Sequence, residues 1–267
     1  FKAFIEDAFL PYVRVKHQSR PNTVKFYEYR CATLVVHPSF AEARLSAIDP
    51  TLILQFVNTR LSAKRKSRGD GKVGLGTVNH ELTVLKVALR YARYELKVIQ
   101  DIPRIQLIKG QQGRTFIVSG ELEKAYFEAA QYPLKHAAIL MCDLGLRPAE
   151  VVSLSKSHIS EASIFVATSK SAAGIRTLPQ TVRSQRTLAE LADLWPDSPW
   201  LFPGLSRGSH YAASALSTLH TNLRDAKEWP AEFVLYSFRH TFGTRLAESG
   251  AKPYAIMKLM GHTKIET

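Results

Sequence analysis

Apolar residues recurring at helical spacing predict helix along most of this chain. In the N-terminal part the candidates are residues 1–10, 22–34, 50–61 and 77–97. The last is the clearest, with Val78, Leu82, Leu85, Leu89, Ala92 and Leu96 on one stripe and Arg90 and Arg93 off it. Residues 98–118, with Pro103, Gly110, Gly113 and the polar pair Gln111 and Gln112, read as a linker. Ser119 then suits the N-cap of a helix carrying Leu122, Ala125, Tyr126 and Ala129. A second, buried helix carries Ala137, Ala138, Leu140, Met141 and Leu144; Gly145 stops it and Pro148 starts the next.

The period changes at 163–168 and 175–179, which read as two strands of a hairpin joined by 169–174. Residues 212–225 return to helix. Near the end, Phe238, Phe242 and Leu246 form one stripe, with Arg239, His240 and Arg245 off it. Gly250 stops that helix. Pro253 opens another, whose Ile256, Met257 and Met260 face inward and which Gly261 ends. Thr263 to Glu266 reads as a capping box, the start of a further helix. The expected class is mainly α: a helical N-terminal domain over 1–108, a linker over 109–118, and an α-rich domain with a small β-sheet over 119–267.

Composition narrows the partners. No apolar run approaches the ~18 residues of a membrane span, and the N-terminus does not read as a signal peptide. Two cysteines are too few for a disulfide framework and fit a reducing cytoplasm. No Cys/His spacing suggests a metal, and no Walker or Rossmann glycine pattern suggests a nucleotide, so no cofactor is expected. The net charge of +13 points to a polyanion. Its larger share, an excess of nine positive charges, falls on residues 1–108. It is densest over 60–72, where Lys64, Arg65, Lys66 and Arg68 form either a solvated loop or one held against phosphates.

Polar residues concentrate at the seams between elements. Arg147 sits in the short joint between Gly145 and Pro148, where it either pairs with Asp143 or Glu150 or serves a site. Arg239 lies in a first helical turn, a position suited to binding an anion. His262 lies between the Gly261 stop and the Thr263 start, and Lys170 falls at the hairpin turn.

Taken in order, these strings resemble the tyrosine recombinases of the phage integrase family. Leu144-Gly-Leu-Arg147-Pro-Ala-Glu150 resembles the first arginine box, and Lys170 followed by Arg176-Thr-Leu-Pro179 the hairpin lysine. Tyr236-Ser-Phe-Arg239-His-Thr241 and Met260-Gly-His262 resemble the second arginine and Gly-His boxes. Tyr236 stands where the family has His. The family's nucleophilic tyrosine follows the Gly-His histidine by nine residues, beyond Thr267, so these 267 residues are expected to lack it.

The resemblance implies a core-binding helical domain before a catalytic domain, with Arg147, Lys170, Tyr236, Arg239 and His262 catalytic. It implies Lys64, Arg65, Lys66, Arg68, Arg90 and Arg93 against DNA, no metal, and a homotetramer on paired sites of double-stranded DNA in the cytoplasm, at the nucleoid. The expected activity is site-specific recombination through a 3′-phosphotyrosine, as in mobile elements. A DNA-binding protein that kept the fold but lost the nucleophile and, less strongly, a type IB topoisomerase are the alternatives.

Overall fold

The computed structural model describes residues 1–64, 71–110, 116–169 and 172–263. They form two compact units, Phe1–Gln112 and Gly113–Thr267. The first unit is helical. Helix α1 (Lys2–Phe4) runs through a π-turn, Ile5–Phe9, into α2 (Leu10–Lys16), so the expected helix 1–10 extends a turn and a half further. It is followed by α3 (Pro21–Val35), α4 (Pro38–Ala41), α5 (Pro50–Ser62) and α6 (Leu75–Arg90). Prolines open α3, α4 and α5, at the position where a missing N–H costs a helix nothing.

The α6 stripe of Val78, Leu82, Leu85 and Leu89 is fully buried, and Ala92 extends it into a π-helical turn, Tyr91–Glu95. Leu96, expected on the stripe, is exposed. Within this core Glu81 is completely buried and accepts from Arg60 Nε and Nη2 at 2.9 and 2.7 Å. Such a charge is tolerable in an apolar core only because the guanidinium fork satisfies both oxygens.

The segment expected to be a linker is anchored at both ends. Ile99 and Ile105 are buried in the first core, and the Asn79 side chain clamps Ile108 through bonds to its N–H and C=O at 2.8 and 3.0 Å. At the other end Val118 is buried in the second unit, where its N–H donates to Thr241 Oγ1 at 2.8 Å.

The second unit holds α7 (Gly120–Ala129), α8 (Leu134–Leu144) and α9 (Pro148–Val152). An antiparallel hairpin of β1 (Ser163–Val166) and β2 (Arg176–Pro179) follows. Then come α10 (Val182–Leu194), α11 (Ala213–Ala226), α12 (Ser237–Glu248) and α13 (Pro253–Met260). Ser119 caps α7 as expected, its Oγ accepting from Leu122 N at 3.2 Å. Helix α8 is apolar nearly all round and forms the centre of the core, against which α7, α10 and α12 pack. The hairpin register pairs Ile164 with Leu178 and Val166 with Arg176 on its inward face. Helix α10 was not anticipated from the sequence; Thr181 caps it, its Oγ1 accepting from Ser184 N at 3.0 Å.

Candidate active site

The site forms where four seams of the second unit meet. Gly145, at φ +62°, ends α8 in the left-handed region; a Cβ there would collide with the Phe242 ring. Glycine is therefore needed twice over, for the backbone angle and for the approach of α12. Arg147 follows in an extended conformation, which the proline after it favours, and Pro148 starts α9. The third residue of that helix, Glu150, accepts from Arg147 N at 3.0 Å and from Arg147 Nη1 at 2.6 Å. Of the two partners the sequence offered Arg147, the structure selects Glu150. Asp143 instead takes Arg183, whose Nε donates to it at 3.0 and 3.1 Å.

Glu150 is the hub. It is 2% exposed, and its carboxylate also accepts from Arg176 Nη2 at 3.1 Å and Ser169 Oγ at 3.0 Å, with Arg239 Nη1 at 3.8 Å. Burial pushes its pKa up, but the bonds from Arg176 and from the Arg147 main chain and side chain outweigh burial. They hold it below the usual carboxylate range. One carboxylate thus faces three guanidiniums, leaving the cluster cationic.

Arg239 departs from expectation. Its place in the first turn of α12 holds, but the side chain is fully buried rather than off the apolar face. It donates through Nη1 to Gly145 O and through Nη2 to Met260 O, while its Nε finds no partner. Burial lowers its pKa, yet a guanidinium this far above neutral remains charged. Arg147 keeps 23% of its side chain exposed and is the cation of this cluster most open to a ligand.

Helix α13 ends on the cluster. Gly261, at φ +63°, lets its own N–H donate to Lys258 O at 3.1 Å and His262 N to Met257 O at 3.0 Å, the paired bonds of a Schellman motif. The next three carbonyls are each taken by an arginine. Arg176 Nε donates to Leu259 O at 2.6 Å, Arg239 to Met260 O, and Arg147 Nη2 to Gly261 O at 3.0 Å. Cations at a helix C-terminus suit its partial negative charge. His262, half-buried, directly follows this anchored turn.

The remaining candidates distribute unevenly. Tyr236 is the N-cap residue of α12, half-buried, with its ring 5.9 Å from the Arg239 guanidinium and edge-to-face with His240 at 5.0 Å. Burial and the nearby Arg239 lower the His240 pKa and favour its neutral form. Lys170 lies outside the described residues, as do Arg65, Lys66 and Arg68 and most of the expected capping box after Thr263. In the first unit Lys64 is exposed and bridges to Lys72 across the base of the basic run. Arg90 and Arg93 both lie over the exposed Tyr94 ring, at 5.7 and 5.1 Å. Among the described residues no His/Cys/Asp/Glu group is arranged to hold a metal ion. No helix among them is long and apolar enough to cross a membrane.

Sequence reasoning named Arg176 only as part of the hairpin string and missed its place in the site. The strand alternation held the signal. Arg176 is two residues from Leu178 and opposite Val166, so it shares their buried face.

Comparison with known proteins identifies the family and the fold. A family model described as the phage integrase family matches residues 119–267. The tyrosine recombinase XerD of Rhizobium meliloti (strain 1021) is 29% identical over 144 residues, 49% of this chain and 44% of the relative. XerC of Erythrobacter litoralis (strain HTCC2594) is 30% identical over 130 residues, 48% of this chain and 42% of the relative. The matched region thus spans less than half the length of these two relatives. Among solved structures, the Tn1549 transposon integrase in complex with a circular intermediate DNA shares the fold at a TM-score of 0.74 and 16% identity, covering 96% of this chain and 91% of that one. A lambda integrase dimer bound to a COC′ core site does so at 0.74 and 17%, covering 99% and 92%. With residues 119–267 matched, more than half of its length, this chain belongs to the phage integrase family of tyrosine recombinases.

Proposed function

We propose that this protein is a site-specific DNA recombinase that cuts and rejoins strands through a 3′-phosphotyrosine link. The observation that carries the reading is the cluster of Arg147, Arg176 and Arg239 around the single carboxylate of Glu150, with His262 at its edge. A phosphodiester under attack gathers negative charge on its non-bridging oxygens, and guanidiniums fixed in advance stabilise that charge without reorganising during the reaction. Arg147 meets the phosphate first. Arg239 reaches it by exchanging a main-chain carbonyl for a phosphate oxygen, one acceptor for another.

The nucleophile is a tyrosine at the family's spacing, nine residues after His262. Its oxygen gives up the phenolic proton to solvent and bonds to phosphorus as the bond to the 5′-oxygen breaks, while Lys170 supplies the proton that the departing oxygen takes up. His262 donates a hydrogen bond to the phosphate. Tyr236 positions rather than acting as an efficient base, since a phenol titrates near ~10. The basic residues of the first unit hold the duplex, and a tetramer on paired sites is the working assembly. A lambda integrase tetramer bound to a Holliday junction, similar to this chain at a TM-score of 0.73, supports that assembly.

The test uses the full gene product on a nicked suicide substrate, followed by denaturing electrophoresis and peptide mapping. A covalent adduct on a tyrosine is expected. Arg147→Ala and Arg239→Ala are each expected to slow its formation by about a hundredfold or more. DNA binding with no adduct would favour a non-catalytic DNA-binding protein on the same fold.

A further inference from the structure

We infer that Arg176 is a positioning residue that holds His262 and Arg147 in register by tying the end of α13 to Glu150. A helix leaves its last C=O groups without intrahelical partners, and a buried carbonyl without a donor is costly. The Schellman bonds of Gly261 and His262 satisfy Lys258 and Met257. Leu259, Met260 and Gly261 receive Arg176, Arg239 and Arg147, one guanidinium to each carbonyl.

Arg176 differs from the other two. Its side chain is only 7% exposed, and its three donor nitrogens are all engaged: Nε on Leu259 O, Nη1 on Gly174 O at 2.7 Å, and Nη2 on Glu150 at 3.1 Å. A group so committed has little left to offer a substrate. It joins the hairpin, the α13 terminus and the carboxylate that orients Arg147, so displacing it shifts all three. The packing is tight at this point: a Cβ on Gly261 would come within 2.9 Å of both Arg176 Nη1 and Gly174 Cα. The planar fork matters as much as the charge, because a lysine gathers its donors at one nitrogen and cannot span three acceptors spaced around a guanidinium.

The inference rests on the recombinase reading for its effect on rate, and its structural arm stands without it. In the 267-residue chain, Arg176→Gln is expected to shift the imidazole resonances of His262 and leave those of His220 unchanged. His220 is buried against Tyr126 and Phe233, away from the cluster. In the full gene product, Arg176→Gln is expected to slow adduct formation by about a hundredfold, the effect of misplacing a reacting group by an ångström. Its affinity for DNA should stay near wild type, while its melting temperature falls because Glu150 and the buried carbonyls lose a donor. Arg176→Lys is expected to recover part of the rate, and it serves as the working variant if Arg176→Gln does not fold.

A wild-type rate in Arg176→Gln, or unshifted His262 resonances, would overturn the inference. So would a rate loss matched by an equal loss in DNA affinity, or an Arg176→Lys variant no faster than Arg176→Gln. Absence of an adduct from the wild-type protein would instead count against the recombinase reading, and the resonance arm would still decide the role of Arg176.

Discussion

At the scale of single residues, Glu150 governs the site because, among the described residues, it is the carboxylate that three guanidiniums face. Its loss leaves buried cations without a counter-charge, the situation in which breaking a buried pair costs most. Glu150→Gln is expected to destabilise the second unit by about 3–5 kcal/mol, measured by denaturant unfolding at neutral pH. The pH dependence has a definite sign. The native pKa of Glu150 lies below the usual carboxylate value, so its contribution is fully present above that value and lost as pH falls through the native one. The stability gap between wild type and Glu150→Gln should therefore be constant from neutral pH down to the ordinary carboxylate range and close below it. A gap that persists unchanged into strong acid would mean that Glu150 contributes by shape rather than charge.

At the scale of elements, the seams do the work that no single helix does. Helix α8 ends at Gly145, α9 begins at Pro148, β2 carries Arg176 inward and α13 ends at Gly261. Each is an ordinary stop or start signal, and the site is what remains between them. Where Gly145 faces a side chain, Gly261 is pressed against backbone atoms. An alanine there would have to hold a left-handed backbone angle that costs an L-residue roughly 1–2 kcal/mol. Its Cβ would also press on Gly174 Cα, a backbone atom with little room to give. Gly261→Ala is expected to lower the melting temperature by several degrees and to slow adduct formation by at least tenfold, read from thermal unfolding and single-turnover cleavage of the full gene product. Near wild-type behaviour in both would show that the α13 end can relax without cost.

At the scale of the whole molecule, charge is the dominant property. The chain carries +13 at neutral pH, and a protein that displaces counterions from duplex DNA binds with a steep salt dependence. Replacing Lys64, Arg65, Lys66 and Arg68 together by glutamine is expected to flatten the plot of log K against log salt by roughly 0.9 for each phosphate that is no longer neutralised. The weakening should be equal on specific and random duplexes, since the phosphate backbone carries no sequence information. An unchanged slope in a fluorescence titration would make the run an ordinary solvated loop, the other reading its composition allows.

The sequence alone determined what depends on neighbours along the chain. Apolar periodicity located α3, α5, α6, α7, α8 and α12 to within a few residues, because a helix buries one face at a fixed spacing. Gly145, Pro148, Pro253 and Gly261 marked their boundaries through backbone angles that are local properties. The order of Arg147, Lys170, Arg239 and His262 along the chain was enough to suggest the family. What tertiary structure decided was which of these groups meet and how exposed they are. Arg239 lies off the stripe of Phe238, Phe242 and Leu246 in sequence, yet α8 and α13 close over it from distant parts of the chain. The choice of Glu150 over Asp143 for Arg147 was open in sequence. It was settled when α10 brought Arg183 to Asp143 across 40 positions. Arg176 became part of the site for the same reason: a strand alternation reveals which face is buried, but only the packed fold supplies the carbonyls and carboxylate waiting there.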